Sequence, residues 1–291
     1  MRQETVTANG IRFTYLEEGP ADGPLALCLH GFPDTAQTWR HLLPSLAEAG
    51  FRAVAPWTRG YAPTEVPADG GYETGALAVD ACALHDVLGG DERAVLVGHD
   101  WGAMTAYAAA AYQPERWRRA VTMAVPPFAA IAAGFTTYRQ LRRSFYIFVF
   151  QSPLAEAAVA GDDFAFIEGL WADWSPGYDG SADVAHLKAS LADPANLSAA
   201  IGYYRAMFDP TVHVETYADA QAAAGAVPPQ PFLYLHGTTD GTLGIEVVSD
   251  PLPFLAPGSR FEVLDGVGHF LHLEQPKLVG DLVLEFLTEG T

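Results

Sequence analysis

Five residues, Gly98-His99-Asp100-Trp101-Gly102, restrict this chain more than any other stretch. An apolar run, Ala94-Val95-Leu96-Val97, leads into them, and a stretch of mostly small residues from Ala103 to Ala111 follows. Strand, Gly-x-nucleophile-x-Gly, helix is the pattern of a sharp turn that holds its central side chain up and exposed. The flanking glycines let the backbone turn tightly and approach its neighbours closely. The central side chain is a carboxylate, where most such turns carry serine. Attack of an aspartate on an acyl carbon would give a high-energy mixed anhydride. Attack on an sp3 carbon bearing a leaving group gives an ordinary alkyl ester, which water then cleaves, so one hard displacement becomes two easier steps. The electrophile is expected to be a carbon bearing a strained ring oxygen or a halide.

The rest of the chain reads as a frame for this turn. Thr5–Thr7, Asn9-Gly10 and Ile11–Leu16 form the pattern of a hairpin with a type I′ turn. Short apolar runs follow at Leu25–Leu29, Phe51–Ala55, Ala94–Val97, Ala120–Ala124, Phe232–Leu235 and Phe261–Leu264. Helical stretches are expected at Thr38–Ala49, Thr74–Leu88, Ala103–Tyr112 and Gln275–Leu287. Continuous apolar strands alternating with helices predict a mostly parallel sheet covered on both faces. Roughly a hundred residues separate the runs at Ala120 and Phe232, far beyond an ordinary connection. They hold aromatic helical patterns and are flanked by Pro126-Pro127 and Pro228-Pro229-Gln230-Pro231. This predicts a helical cap at 127–228 inserted into a core made of 1–126 and 229–291. A cap over the turn would exclude water and shape a pocket.

Hydrolysis of an aspartyl ester calls for a base with an orienting acid. When the nucleophile sits on such a turn, the chain order is nucleophile, acid, histidine. Asp100, Asp240 and His269 satisfy it. Asp240 follows the run Phe232–Leu235 within Leu235-His236-Gly237-Thr238-Thr239-Asp240, and His269 sits in Gly266-Val267-Gly268-His269 after the last run. The imidazole would take a proton from water while Asp240 fixes its tautomer. His272 is the positional rival as base and is assigned to the start of the last helix. His30, His99 and His236 stand beside glycines at strand ends and are expected to bond backbone. Asp250 and Asp265 are the rivals of Asp240. The oxyanion donors are expected to be the backbone N–H groups of Trp101 and of Phe32, in His30-Gly31-Phe32-Pro33.

Composition narrows the partners. With 35 acidic and 16 basic residues the net charge is −19, which repels phosphate backbones and anionic membranes, so neither nucleic acid nor membrane is an expected partner. The basic groups Arg116/Arg118/Arg119 and Arg139/Arg142/Arg143 read as solvated faces. Two cysteines and no apolar leader after Met1 predict a cytoplasmic protein without a disulfide framework. The spacings CxxC and HExxH are absent, and no metal is expected.

Taken together, His30-Gly31-Phe32-Pro33, Gly98-His99-Asp100-Trp101-Gly102 and Arg59-Gly60-Tyr61 resemble the epoxide hydrolases of the α/β-hydrolase fold, over nearly the whole chain. The resemblance implies that fold, with a mostly parallel eight-stranded sheet flanked by helices and an inserted helical cap. It implies a cofactor-independent enzyme that turns a small apolar epoxide into a vicinal diol, with a homo-oligomer permitted. Haloalkane dehalogenases share the turn and are the nearest alternative. They usually carry asparagine where this chain has Phe32. A non-catalytic binding protein of the same fold is the other alternative, and the complete triad speaks against it. The family uses two cap tyrosines to protonate the ring oxygen. Ile201-Gly202-Tyr203-Tyr204-Arg205 and Ser144-Phe145-Tyr146 resemble their contexts and place Tyr204 and Tyr146 in that role, with Tyr203 the alternative one residue away. The chain departs from the family pattern at Trp57, where aspartate is common, and at Ala62-Pro63-Thr64, where Gly-x-Ser is usual.

Overall fold

In the computed structural model, which describes residues 1–131, 134–248 and 250–289, eight strands form one sheet. Residues 132–133, within the expected cap, lie outside the described residues, as do 249, 290 and 291. The strands are β1 (Arg2–Ala8), β2 (Ile11–Glu18), β3 (Leu25–Leu29), β4 (Arg52–Pro56), β5 (Val95–His99), β6 (Arg119–Met123), β7 (Phe232–Gly237) and β8 (Arg260–Leu264). Their order is β1-β2-β4-β3-β5-β6-β7-β8. The β1–β2 and β2–β4 pairs are antiparallel and every other pair is parallel. Asn9 and Gly10 both have positive φ, the requirement of the I′ turn that joins β1 to β2. The expected mostly parallel eight-stranded sheet is the one observed.

The helices are α1 (Leu42–Glu48), α2 (Thr74–Val87), α3 (Trp101–Tyr112), α4 (Tyr138–Arg143), α5 (Phe145–Val149), α6 (Ala155–Trp174, kinked at 161–164), α7 (Ser181–Ser190), α8 (Pro194–Phe208), α9 (Ala218–Ala223), α10 (Leu271–Glu274) and α11 (Pro276–Thr288). The strands β3, β5 and β7 are buried along their whole length, as continuous apolar runs between two helical layers must be. One predicted helix is divided. Thr38–Ala49 becomes a 3-10 turn, Ala36–Arg40, followed by α1. Pro44 explains the break, because in a continuous helix its ring would meet the carbonyl of Arg40. No helix among the described residues is long and apolar enough to cross a membrane.

The helices α4 to α9 all fall between β6 and β7. They join the core through aromatic packing and, on one flank, through Tyr217, which meets a buried ion pair of the core. Arg59, fully buried, donates from Nε and Nη2 to the two carboxylate oxygens of Asp80 at 2.6 and 2.7 Å. Its guanidinium also lies over Tyr217, just before α9. Breaking such a buried pair costs about 3–5 kcal/mol. The two departures at the neighbouring loop are absorbed structurally. Thr64 donates to the Trp57 carbonyl at 2.7 Å and accepts from the Thr14 N–H at 3.0 Å, which ties the loop to β2.

Candidate active site

The nucleophile position is built by the end of β5. His99 is the last strand residue and Trp101 the first of α3, so the whole change of direction falls on Asp100, at φ 54° and ψ −117°. A non-glycine residue in that region costs on the order of 1–3 kcal/mol, a strain that persists where the surroundings fix it. They do so here by close contact. A Cβ on Gly102 would lie 1.9 Å from the Leu29 carbonyl oxygen, and one on Gly31 would lie 2.3 Å from Asp100 Oδ1. Both glycines are needed so that β3, its following loop and the elbow can touch.

That contact places the Phe32 N–H 2.8 Å from Asp100 Oδ1. The Trp101 N–H, at the amino end of α3, also favours the charge on the carboxylate. The second oxygen, Oδ2, faces His269 Nε2 at 3.8 Å. Behind the imidazole, His269 Nδ1 meets Asp240 Oδ2 at 3.0 Å and Thr242 Oγ1 at 2.9 Å. Asp240 Oδ1 accepts the Thr242 N–H at 2.7 Å and its hydroxyl as well. All three members of this chain are buried.

Burial and partners set the charges. Burial raises the Asp100 pKa above its ordinary value, and His269 with the two N–H donors opposes that rise without cancelling it. Burial works against the Asp240 carboxylate too, but the His269 charge and hydrogen bond outweigh it and hold the pKa below normal. His269 is pulled down by burial and lifted further by Asp240, for a net rise. Burial drives His99 and His236 below normal, His30 to about 4 and His272 to about 3. Of the histidines around the elbow, His269 alone is tuned to accept a proton.

The rival residues are placed elsewhere. His272 lies in α10, stacked on Trp39 with Nε2 against the Thr38 hydroxyl, rather than starting α11. His99 Nε2 bonds the His269 carbonyl at 2.9 Å, and His30 Nε2 accepts the Thr58 N–H at 3.0 Å. Asp265 accepts from Thr238, and Asp250 from the Leu252 N–H.

Opposite Asp100 stand rings from α5 and α8. Tyr146 and Tyr204 meet edge to face at 5.6 Å between centroids. Tyr204 also packs edge-on against Phe32 at 5.2 Å and Trp101 at 5.2 Å, the two residues whose N–H groups favour the charge on Asp100. The Tyr204 hydroxyl is buried with no hydrogen-bond partner. Burial raises the pKa of each phenol well above normal, aided at Tyr146 by the Asp100 charge and at Tyr204 by Tyr146 and then Asp100, so each remains a proton donor. Tyr203 points away. Its hydroxyl donates to the Arg59 carbonyl at 2.7 Å. Neighbouring helical residues diverge by about 100°.

Two contributors escaped the sequence reading. Thr242 bonds both Asp240 and His269, and its signal is the Asp-x-Thr turn that Asp240 starts. Trp174, at the end of α6, accepts the His269 N–H on its carbonyl at 3.0 Å and sets its ring 5.1 Å from the imidazole. No local pattern marks that long-range contact.

A mostly parallel sheet with a helix-capped elbow, followed by an acid and a histidine after its last two strands, defines an α/β-hydrolase whose elbow carries a carboxylate. The sequence model of the alpha/beta hydrolase fold matches residues 24–276. Epoxide hydrolase A of Mycobacterium tuberculosis is 32% identical, over 98% of this chain and 97% of that protein. Epoxide hydrolase 4 of Mus musculus is 30% identical over 97% of this chain and 78% of its own length. The crystal structure of epoxide hydrolase A from Mycobacterium thermoresistibile superposes with a TM-score of 0.82 at 27% identity, covering 99% of this chain and 98% of that one. The chain belongs to the α/β-hydrolase-fold epoxide hydrolase family.

Proposed function

We propose that this enzyme opens an epoxide to a vicinal diol through a covalent ester on Asp100. The observation that carries the reading is the carboxylate at the elbow, with one oxygen held by the Phe32 N–H and the other facing His269, opposite two buried phenols. Asp100 Oδ2 attacks a ring carbon, the ring C–O bond breaks, and the departing oxygen takes a proton from Tyr146 or Tyr204. His269 then removes a proton from water, and the hydroxide adds to the Asp100 carboxyl carbon. Charge develops on Oδ1, which the Phe32 N–H already holds, with the Trp101 N–H at the start of α3 as the second donor, and losing such a donor typically costs about 10²–10³ in rate. Collapse releases the diol, and the proton on His269 replaces the one given up by the phenol. Asp240 and Thr242 hold the imidazole throughout. Aromatic walls from Phe32, Trp101, Tyr146 and Tyr204 favour an apolar group around the ring, which supports a small apolar epoxide as the reacting unit.

A single turnover in heavy-oxygen water tests the scheme. The label should enter the Asp100 carboxylate and be absent from the first diol released, since that oxygen comes from Oδ2. Label in the first diol would mean direct attack by water and would overturn the covalent route. The phenols have their own test. Tyr146→Phe with Tyr204→Phe should lower the rate of ester formation by about 10²–10⁴, the range of general-acid catalysis. Alkyl halide turnover should not fall in parallel, because a halide leaves without a proton. A parallel loss would assign the tyrosines to packing.

A further inference from the structure

The inserted helices meet the core along a row of main-chain carbonyls in the loop after β4. The Tyr203 hydroxyl donates to the Arg59 carbonyl at 2.7 Å, Asn196 Nδ2 to the Gly60 carbonyl at 2.6 Å, and Ser190 Oγ to the Ala62 carbonyl at 2.6 Å. Three polar side chains of α7 and α8 thus close on one short stretch of the core. Asn196 and Tyr203 are seven residues apart, two turns of α8, so both project from one face of that helix. The Tyr203 ring is buried among others, stacked on Tyr72 at 5.7 Å between centroids and edge-on to Tyr61 and Trp101 at 6.0 and 5.4 Å.

The next residue along the helix depends on such an anchor. The Tyr204 hydroxyl has no hydrogen-bond partner, so no bond of its own aims it. Its direction follows from the rotation of α8 about its axis and from ring contacts with Phe32, Trp101 and Tyr146. Ring contacts hold a side chain in place but tolerate sliding, whereas a hydrogen bond to a fixed carbonyl is strict in distance and angle. A point on α8 tied to the core about 100° round from Tyr204 removes that rotation. We propose that Tyr203 is a positioning residue for the acid. Its bond to the Arg59 carbonyl fixes α8 so that the Tyr204 hydroxyl meets the ring oxygen as Asp100 attacks. The Tyr203 hydroxyl, engaged by the core, touches no substrate. The inference rests on the epoxide-opening reading above and names what aims its acid. Misplacing a reacting group by an ångström can cost about 10² in rate.

The test is a double-mutant cycle on the rate of ester formation at saturating epoxide, with styrene oxide as the probe, followed by rapid quench and intact mass. Tyr203→Phe deletes one hydroxyl and keeps the ring. In the unaltered enzyme it should slow ester formation about tenfold. In Tyr204→Phe, where the acid is already gone, the same substitution should cost less than about twofold. Asn196→Ala, which removes the second anchor on that face, should repeat the pattern with a smaller loss. Hydrolysis of the finished ester, which belongs to His269, should keep its parental rate in both variants. Equal losses from Tyr203→Phe with and without the Tyr204 hydroxyl would show a group that serves packing alone and would overturn the inference, as would equal slowing of both chemical steps. If Tyr204→Phe slows ester formation and Tyr203→Phe does not, this inference falls and the acid role of Tyr204 stands. If Tyr204→Phe leaves ester formation unchanged, that role falls and this inference with it.

Discussion

His269→Gln should turn the enzyme into a reagent that reacts once with an epoxide and stops. The attack by Asp100 does not use the imidazole, whereas the hydrolytic step does, because water must lose its proton as it adds to the ester. Glutamine keeps polarity and approximate length but cannot accept that proton. Loss of a positioned base costs about 10²–10⁴ in rate. Removing the unit formed by His269, Asp240 and Thr242 places the effect at the upper end of that range. Ester should accumulate to one equivalent, visible as an intact-mass increase equal to the substrate, and peptide mapping should place it on Asp100. Protein of unchanged mass after incubation with a substrate that the unaltered enzyme hydrolyses would remove His269 from the hydrolytic step.

Asp100→Ala should abolish turnover, with a loss of about 10⁶, comparable to deletion of the nucleophile in other covalent hydrolases. Neither ester nor labelled protein should form. The same substitution carries a stability signature. Burial holds the Asp100 carboxyl above its ordinary pKa in the folded protein, so at neutral pH the ionised form costs stability and contributes none. The variant should melt no lower than the parent despite its inactivity. An inactive protein with a markedly lower Tm would mean that Asp100 acts as a structural residue.

The elbow was legible because its signal is local. Gly98 and Gly102 bracket three residues centred on Asp100, between an apolar run and a stretch of small helical residues. Parallel strands were legible for a similar reason, since burial on both faces leaves uninterrupted apolar runs such as Leu25–Leu29. Chain order then singled out Asp240 and His269, and in the structure those two stand 3.0 Å apart at the carboxylate and imidazole. Other features depend on rotation and distance, which spacing does not encode. The choice between Tyr203 and Tyr204 is a turn of about 100° around α8. The reach of Trp174 to the histidine loop joins residues 95 positions apart in sequence, from 174 to 269. The division of the first expected helix came from Pro44, a local signal outweighed by the apolar pattern around it.

The histidine loop and the acid loop lean on one short stretch of the inserted helices. The Trp174 carbonyl accepts N–H groups from both His269 and Gly241, at 3.0 and 3.2 Å. Ser175 Oγ accepts the Phe270 N–H at 3.0 Å and donates to Glu274 at 2.6 Å. The insertion is therefore unsuited to wholesale exchange with that of a relative. Recombination at its proline-rich ends would transplant the backbone that orients the base together with the walls that choose the substrate. Recombination inside it, keeping Trp174-Ser175 with the core, would let selectivity be varied while the proton-transfer geometry stays with its parent.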